Sequence, residues 1–447
     1  MKNRQNIRNR FHGIALAATL GIFQASTATA EEGKQRETRA TVAMSQKVYE
    51  TLTQAQALVE NRAYEQAEAI LADLRMREDL EPYETAQAWN LSAFNYYQRE
   101  RYEDAIRAYD QVLSQPDMPV GLRQTALKTK AQLKLNVEDY RGTLTTIDRL
   151  MELVSEPAPD IDYTRGAAYF QLGEFRNALA PLQRAVSTTT ASDAVPKEGW
   201  LLLLRGCYYQ LKDFENMVAV LEDLIRHYPK DTYLLTLAGA YSELGDTLKQ
   251  LVIMETLYEQ GLISNSSHIT NLANLYLLHE TPLKAAELLD RELESGALEK
   301  DERSLRLLSQ AWYAARENEK AIVPLQQAAE RANDGQLYVR LAQSYLQLDR
   351  WEAAVDALQT GLDIGGIART DSAHILLGMA YMRLGQHAQA RRAFMVAQGD
   401  VRSRREAQLW VDYIDSEVRR TKALEQPVPD PRQSPLDALL EAAEDAT

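Results

Sequence analysis

The stretch from Ala86 to Pro116, AQAWNLSAFNYYQRERYEDAIRAYDQVLSQP, recurs with variations about ten times along the chain. No other feature restricts the possible folds as much. Trp89, Ala93 and Tyr96 stand at i, i+4 and i+7, the stripe of an amphipathic helix. After a break at Arg99–Arg101, Ala105, Tyr109 and Val112 repeat that stripe. Two helices joined by a tight turn make a hairpin, and Ala93 and Ala105 are small where the helices cross most closely. Trp89 and the tyrosines fill the space the alanines leave. One hairpin buries its apolar side only against the next, so the copies must stack.

Equivalent segments begin at 48, 86, 124, 159, 198, 231, 266, 302, 335 and 371, a mean spacing of about 36 residues. The first copy carries Ala55 and Ala67, the fourth Gly166, Tyr169 and Ala178, the seventh Ala273, Tyr276 and Ala285, and the tenth Gly378, Tyr381 and Ala390. The third has Lys134 where a tyrosine is expected. Ser155–Asp160 reads as a proline-rich connector that ends a helix, and Ser187–Asp193 as a polar insertion. In the fifth copy Arg205 takes a small residue's place, between Trp200-Leu-Leu-Leu-Leu204 and Gly206-Cys-Tyr-Tyr209. An arginine in so apolar a helix is expected to find an acidic partner within the fold.

The pattern of an aromatic or leucine, a small residue, a tyrosine, a second small residue, an aromatic and a closing proline resembles the tetratricopeptide repeat. The resemblance implies an all-α fold: a right-handed α-solenoid of about ten helix hairpins. Residues 45–229 form a first array of five repeats and 230–400 a second. A helix over 401–424, carrying Leu409, Trp410, Tyr413 and Ile414, is expected to cap the open end. Residues 31–44 read as a flexible leader and 425–447 as an acidic, proline-containing tail.

The first thirty residues differ in kind. Lys2, Arg4, Arg8 and Arg10 precede an apolar run, Ile14–Ser26, and the small residues Ala28-Thr29-Ala30. That is the pattern of a secretory signal peptide cleaved after Ala30, which predicts a periplasmic protein with no membrane span once the signal is removed. The formal charge of −14 includes those four basic residues. Such an acidic chain with no basic stripe is a poor partner for nucleic acid or anionic lipid. Cys207 is the only cysteine, so no intrachain disulfide forms; it is expected to behave as a small buried apolar residue.

The six histidines show no metal-ligand spacing, and no GxSxG, HExxH or glycine-rich phosphate loop is present. Neither catalysis nor a cofactor is expected. The expected chemistry is binding, on the inner wall made by the first helix of each hairpin. Residues two, five, nine and twelve of each copy should face that wall. They supply Asn90, Phe94, Tyr97, Gln132, Tyr163, Phe170, Tyr209, Asn274, Gln310, Tyr313 and Gln343 as candidate contacts. Rings grip side chains and amides bond a peptide's main chain, which suits an extended protein segment.

Four segments go beyond what ordinary repeats share: MSQKVYETLTQAQALVE (44–60), KEGWLLLLRGCYYQLKDFE (197–215), HYPKDTYLLTLAGAYSELGD (227–246) and HILLGMAYMRLGQ (374–386). They resemble periplasmic tetratricopeptide proteins of marine and related gammaproteobacteria encoded beside TonB, ExbB and ExbD type energy-transduction genes. The likeness spans roughly residues 44 to 416. It implies a scaffold that helps a TonB system take up iron–siderophore or haem across the outer membrane, with TonB or ExbD type periplasmic domains as partners. The family has no agreed ligand residues to carry over. The other reading is an assembly factor for outer-membrane protein, polysaccharide or cell-wall machinery.

Overall fold

The computed structural model describes residues 44–425 of the chain. The predicted signal segment, the leader up to residue 43 and the tail from 426 lie outside the described residues. Within them the chain is entirely helical, and ten hairpins follow one another. They are α1 (Gln46–Glu60) with α2 (Tyr64–Arg75), α3 (Pro82–Gln98) with α4 (Tyr102–Ser114), and α5 (Val120–Asn136) with α6 (Tyr140–Met151). Next come α7 (Pro159–Gln171) with α8 (Phe175–Ala191), α9 (Glu198–Leu211) with α10 (Phe214–His227), and α11 (Asp231–Glu243) with α12 (Thr247–Glu259). The series ends with α13 (Ser266–Leu278) and α14 (Pro282–Ser295), α15 (Glu302–Ala314) and α16 (Asn318–Ala332), α17 (Gly335–Gln347) and α18 (Trp351–Ile364), and α19 (Thr370–Arg383) and α20 (His387–Ala397). A last helix, α21 (Arg404–Glu425), packs on α20. Each helix packs mainly on its neighbours in the chain. That is the contact pattern of an α-solenoid.

One backbone device closes every hairpin. Counted from the starts given above, the fifteenth residue of all ten copies is left-handed: Arg62, Glu100, Glu138, Gly173, Lys212, Gly245, Glu280, Arg316, Asp349 and Gly385. The next amide then reaches back five residues to the carbonyl at position eleven, as in Arg101 to Tyr96, Asp246 to Tyr241 and Gln386 to Tyr381, each 2.9 Å. This closure satisfies a carbonyl at the first helix's end and reverses the chain in two or three residues.

Close packing at position eight brings the helices of a hairpin together. At Gly378 an added methyl would lie 2.6 Å from the ring of Phe394, which is fully buried on α20. Hairpins are joined by polar contacts as well as by apolar burial. The Gln183 amide donates to the Tyr208 hydroxyl at 2.8 Å, Tyr241 donates to Glu222 at 3.3 Å, and Gln359 donates to Tyr381 at 2.7 Å. Each pair links position twenty-five of one hairpin to position eleven of the next. Buried apolar clusters run beneath these links from Ala86 to Ile414.

Several expectations change in the structure. The Ser187–Asp193 insertion is helical as far as Ala191, because its threonines return hydrogen bonds to carbonyls one turn back: Thr189 to Ala185 at 2.8 Å and Thr190 to Val186 at 3.0 Å. Lys134, in place of a tyrosine, pairs with Asp139 at 2.9 Å. On α21 the apolar set is split. Ala407, Val411 and Ile414 are buried, while Leu409 is 64% exposed and Tyr413 faces water. A helix on one partner buries the narrow i, i+4, i+7 stripe only.

Candidate protein-binding groove

The eleven predicted contact residues all sit on the first helices of their hairpins, and the structure divides them by how they are used. In the first half the rings are held by neighbouring hairpin residues. Tyr97 lies 5.9 Å from Tyr102, Tyr163 stacks on Trp200 at 5.7 Å, and Phe170 meets Phe175 edge-on at 5.3 Å. Phe94 packs against the buried cluster of Ala55, Leu71 and Leu91. These four, with Asn90 and Gln132, are half-buried. Tyr163 is enclosed enough that burial pushes its hydroxyl up to about 12.

From Tyr209 onward the candidates face water. Tyr209 is 58% exposed and Tyr313 47%, and Asn274, Gln310 and Gln343 are exposed as well. The three amides occupy the ninth position of three consecutive hairpins, on α13, α15 and α17. None of them makes a hydrogen bond among the described residues. The Tyr313 hydroxyl accepts from Gln347 on the next hairpin at 2.9 Å, which ties the ring to α17. A row of free amides beside a fixed ring offers donors and acceptors to a polypeptide backbone.

Between the halves lies α9. Trp200, Leu201, Leu203, Leu204, Cys207 and Tyr208 are buried, yet Gly199, Tyr209 and Gln210 are exposed, so this apolar helix keeps one open face. Cys207 is a free, buried thiol that burial pushes up to about 12. Gly206 lets the Phe170 ring of the preceding hairpin approach, since a methyl there would sit 3.0 Å from it. Arg205 is half-buried at the margin of the open face, one turn from Tyr209. The expected internal ion pair is not formed. Among the described residues no carboxylate lies within 4 Å of the Arg205 guanidinium and it makes no hydrogen bond. Glu198, two turns earlier on the same helix, is taken by Lys230 and by the Tyr233 hydroxyl. Desolvation accordingly holds the Arg205 guanidinium below the usual arginine range. Residue type alone gave no signal for this, because which carboxylate is engaged elsewhere depends on the stacking.

Among the described residues no group of three potential metal ligands occurs, and no helix is long and apolar enough to cross a membrane.

The chain carries tetratricopeptide repeats. A family model with that description matches residues 52–119 and 339–401, and a second with the same description matches 202–231. Solved structures share the architecture at low identity. The TPR2AB-domain–pHSP90 complex of yeast Sti1 is 16% identical, covers 60% of this chain and 100% of its own, and superposes with a TM-score of 0.34. A tetratricopeptide repeat protein from Parabacteroides merdae is 16% identical over 60% of this chain and 99% of its own, with a TM-score of 0.37. The Cut9–Hcn1 hetero-tetramer of the APC/C is 14% identical over 81% and 83%, with a TM-score of 0.28. A comparison with curated proteins finds no match.

Proposed function

We propose that this chain is a non-catalytic scaffold of the periplasm that seats an extended segment of a partner protein along its inner wall. The observation that carries the reading is the row Asn274, Gln310 and Gln343, three exposed amides without hydrogen bonds at one position of successive hairpins. Such a row is spaced by the repeat, and an extended backbone can meet it with its own amides. The rings of the first half, already held by their neighbours, stiffen the wall instead.

The partner we propose is a TonB or ExbD type periplasmic domain, in a system that takes up iron–siderophore or haem across the outer membrane. What supports this is the signal-like start of the sequence and the likeness of the 44–60, 197–215, 227–246 and 374–386 segments to periplasmic tetratricopeptide proteins encoded beside such systems. The test is a photo-crosslinking residue at Gln310 in living cells, with mass spectrometry of the adduct, and the same residue at Val323 on the second helix of that hairpin as a control. The expected result is an adduct with a TonB or ExbD type protein from Gln310 alone, together with poor growth of a deletion strain on scarce iron. Equal adducts from both positions would remove the groove. Normal iron-limited growth with envelope defects would favour the assembly-factor role over the TonB one.

A further inference from the structure

The eighteenth residue of each hairpin, counted from the same starts, stands early in the second helix and is exposed in all ten. Seven of the ten are charged, among them Glu65, Glu103, Arg141 and Glu352. Two of these charges reach the next hairpin: Glu65 meets Arg99 at 2.9 Å, and Glu319 meets Arg350 at 2.7 Å. The sixth and seventh hairpins have leucine there instead, Leu248 and Leu283. Val252, one turn after Leu248 on α12, is exposed as well, and so is Leu244 in the turn before α12.

Contacts between the two hairpins gather these residues at one edge. Lys284, next to Leu283, meets Glu255 on α12 at 2.7 Å. His279 Nε2 lies 3.0 Å from the hydroxyl of Thr247, next to Leu248. A lone leucine in water is ordinary, but several at one edge mark a surface that another molecule covers. The charge around the patch says which kind. Glu243, Glu280 and Glu287 are exposed and have no ion pair among the described residues. The lysines beside the leucines are already engaged, Lys249 by Asp246 at 3.0 Å and Lys284 by Glu255. The rim therefore carries uncompensated negative charge, in a chain whose formal charge is −14. A second copy of this chain would bring the same sign and be repelled, whereas a basic partner is attracted.

We propose that the turn-side edge of hairpins six and seven is a docking surface for an amphipathic helix of another protein, apolar on one side and flanked by lysine or arginine. Leu248 and Val252, one turn apart, match the i and i+4 spacing of such a helix laid along α12, with Leu283 on the neighbouring α14. The three unpaired carboxylates then meet its basic flanks. This surface belongs to the second helices and their turns, so it is independent of the inner wall.

The test uses the purified mature protein and two fourteen-residue model peptides with the same leucine face, one flanked by lysine and the other by glutamate. Titration calorimetry should show binding of the lysine peptide and none of the glutamate peptide. L248E/L283E gives both hairpins the residue type that Glu65 and Glu352 represent at this position. It adds two acids, yet it should weaken binding about tenfold or more, because the leucine contacts are lost. Unchanged or tighter binding would show attraction by charge alone and overturn the proposal. E243K/E287K keeps the leucines and should also weaken the lysine peptide; equal binding of the glutamate peptide would remove the basic partner. Because both leucines are exposed, L248E/L283E should melt with wild type, and L248S/L283S repeats the measurement if it does not. Q310A in the inner wall should bind the lysine peptide as wild type does; a loss there would assign the peptide to the groove and end the proposal. A wild type that sediments as a dimer, with L248E/L283E monomeric, would give the patch to a second copy and overturn it too.

Discussion

The Tyr276 hydroxyl donates to Glu255 at 2.8 Å across the junction between the sixth and seventh hairpins, and the Lys284 ammonium meets the same carboxylate at 2.7 Å. Lys284 also lies over the Tyr276 ring, 5.6 Å from its centre. One carboxylate thereby ties α12 to both helices of the following hairpin, at the junction where the backbones approach least often. Y276F removes one donor and leaves the rest in place, so a loss of about 1 kcal/mol is expected. It should be seen as faster hydrogen exchange in α13 with α1 to α4 unaffected, because a repeat array responds to its nearest neighbours.

The same carboxylate sets a pH dependence. Lys284 first, and Tyr276 after it, hold the Glu255 pKa below the usual glutamate value. A lowered folded-state value means that this contribution is complete above about pH 4.3, the unfolded value, and fades as the pH falls through the folded one. Thermal melts of wild type and E255Q should therefore differ at pH 7 and converge in acid. A gap that stays constant down to pH 3 would show that Glu255 acts through packing rather than charge.

Seven of the ten left-handed turn residues are not glycine, and Glu280 is one of them, at φ 56°. A side chain there costs roughly 1–2 kcal/mol of steric strain, while glycine loses about 0.5–1 kcal/mol more chain entropy on folding. Glu280→Gly should accordingly stabilise the seventh hairpin by about 0.5 kcal/mol, and the reverse change Gly245→Glu should destabilise the sixth by a similar amount. Urea unfolding of the two variants decides the sign.

How far the sequence could be read is clear from these same residues. The hairpins are legible because small residues and aromatics recur at helical spacing, and the turns Leu172-Gly-Glu174 and Leu244-Gly-Asp246 announce themselves. The left-handed turn at Arg62, Lys212 or Arg316 does not, since a charged residue carries no mark of its φ. The inner wall was identifiable as a set of positions. Whether a ring on it is free depends on residues far away in the chain, as with Tyr163 under Trp200 and Phe170 against Gly206. Arg205 shows the limit most plainly: general electrostatics demands a partner, and only the stacking shows that burial, with no carboxylate beside it, sets its environment.

Gly335 begins α17 against the end of α18. A methyl at Gly335 would fall 2.2 Å from the Gly365 carbonyl oxygen and 2.3 Å from that of Gly361. Both obstacles are backbone and cannot swing aside, so G335A must push α17 and α18 apart. A cost of about 3 kcal/mol is expected, the upper end for overpacking. It should appear as a lower melting temperature together with weaker use of the neighbouring Gln343, read as reduced crosslinking from that position.

The C-terminal end of the array is held by Asp371, whose side chain is buried between α19 and the start of α21. Its carboxylate accepts from Arg369 at 2.6 Å and from the Ser403 hydroxyl at 2.6 Å, with Arg402 at 3.5 Å. Arg369 first, then Ser403, hold its pKa far below the ordinary aspartate range. The depressed value means that this contribution is complete above about pH 3.9, the unfolded value, and fades as the pH falls from there toward the folded one. At neutral pH D371N keeps the shape but loses the charge, so α21 should exchange its amides faster while α9 to α12 are unchanged. The sign is checked in acid: as the pH falls below about 4 the open form takes up a proton while the folded carboxylate stays charged, so the difference in α21 exchange between wild type and D371N should narrow. Equal exchange in the two proteins at pH 7 would mean that Ala407, Val411 and Ile414 hold the last helix by apolar contact alone.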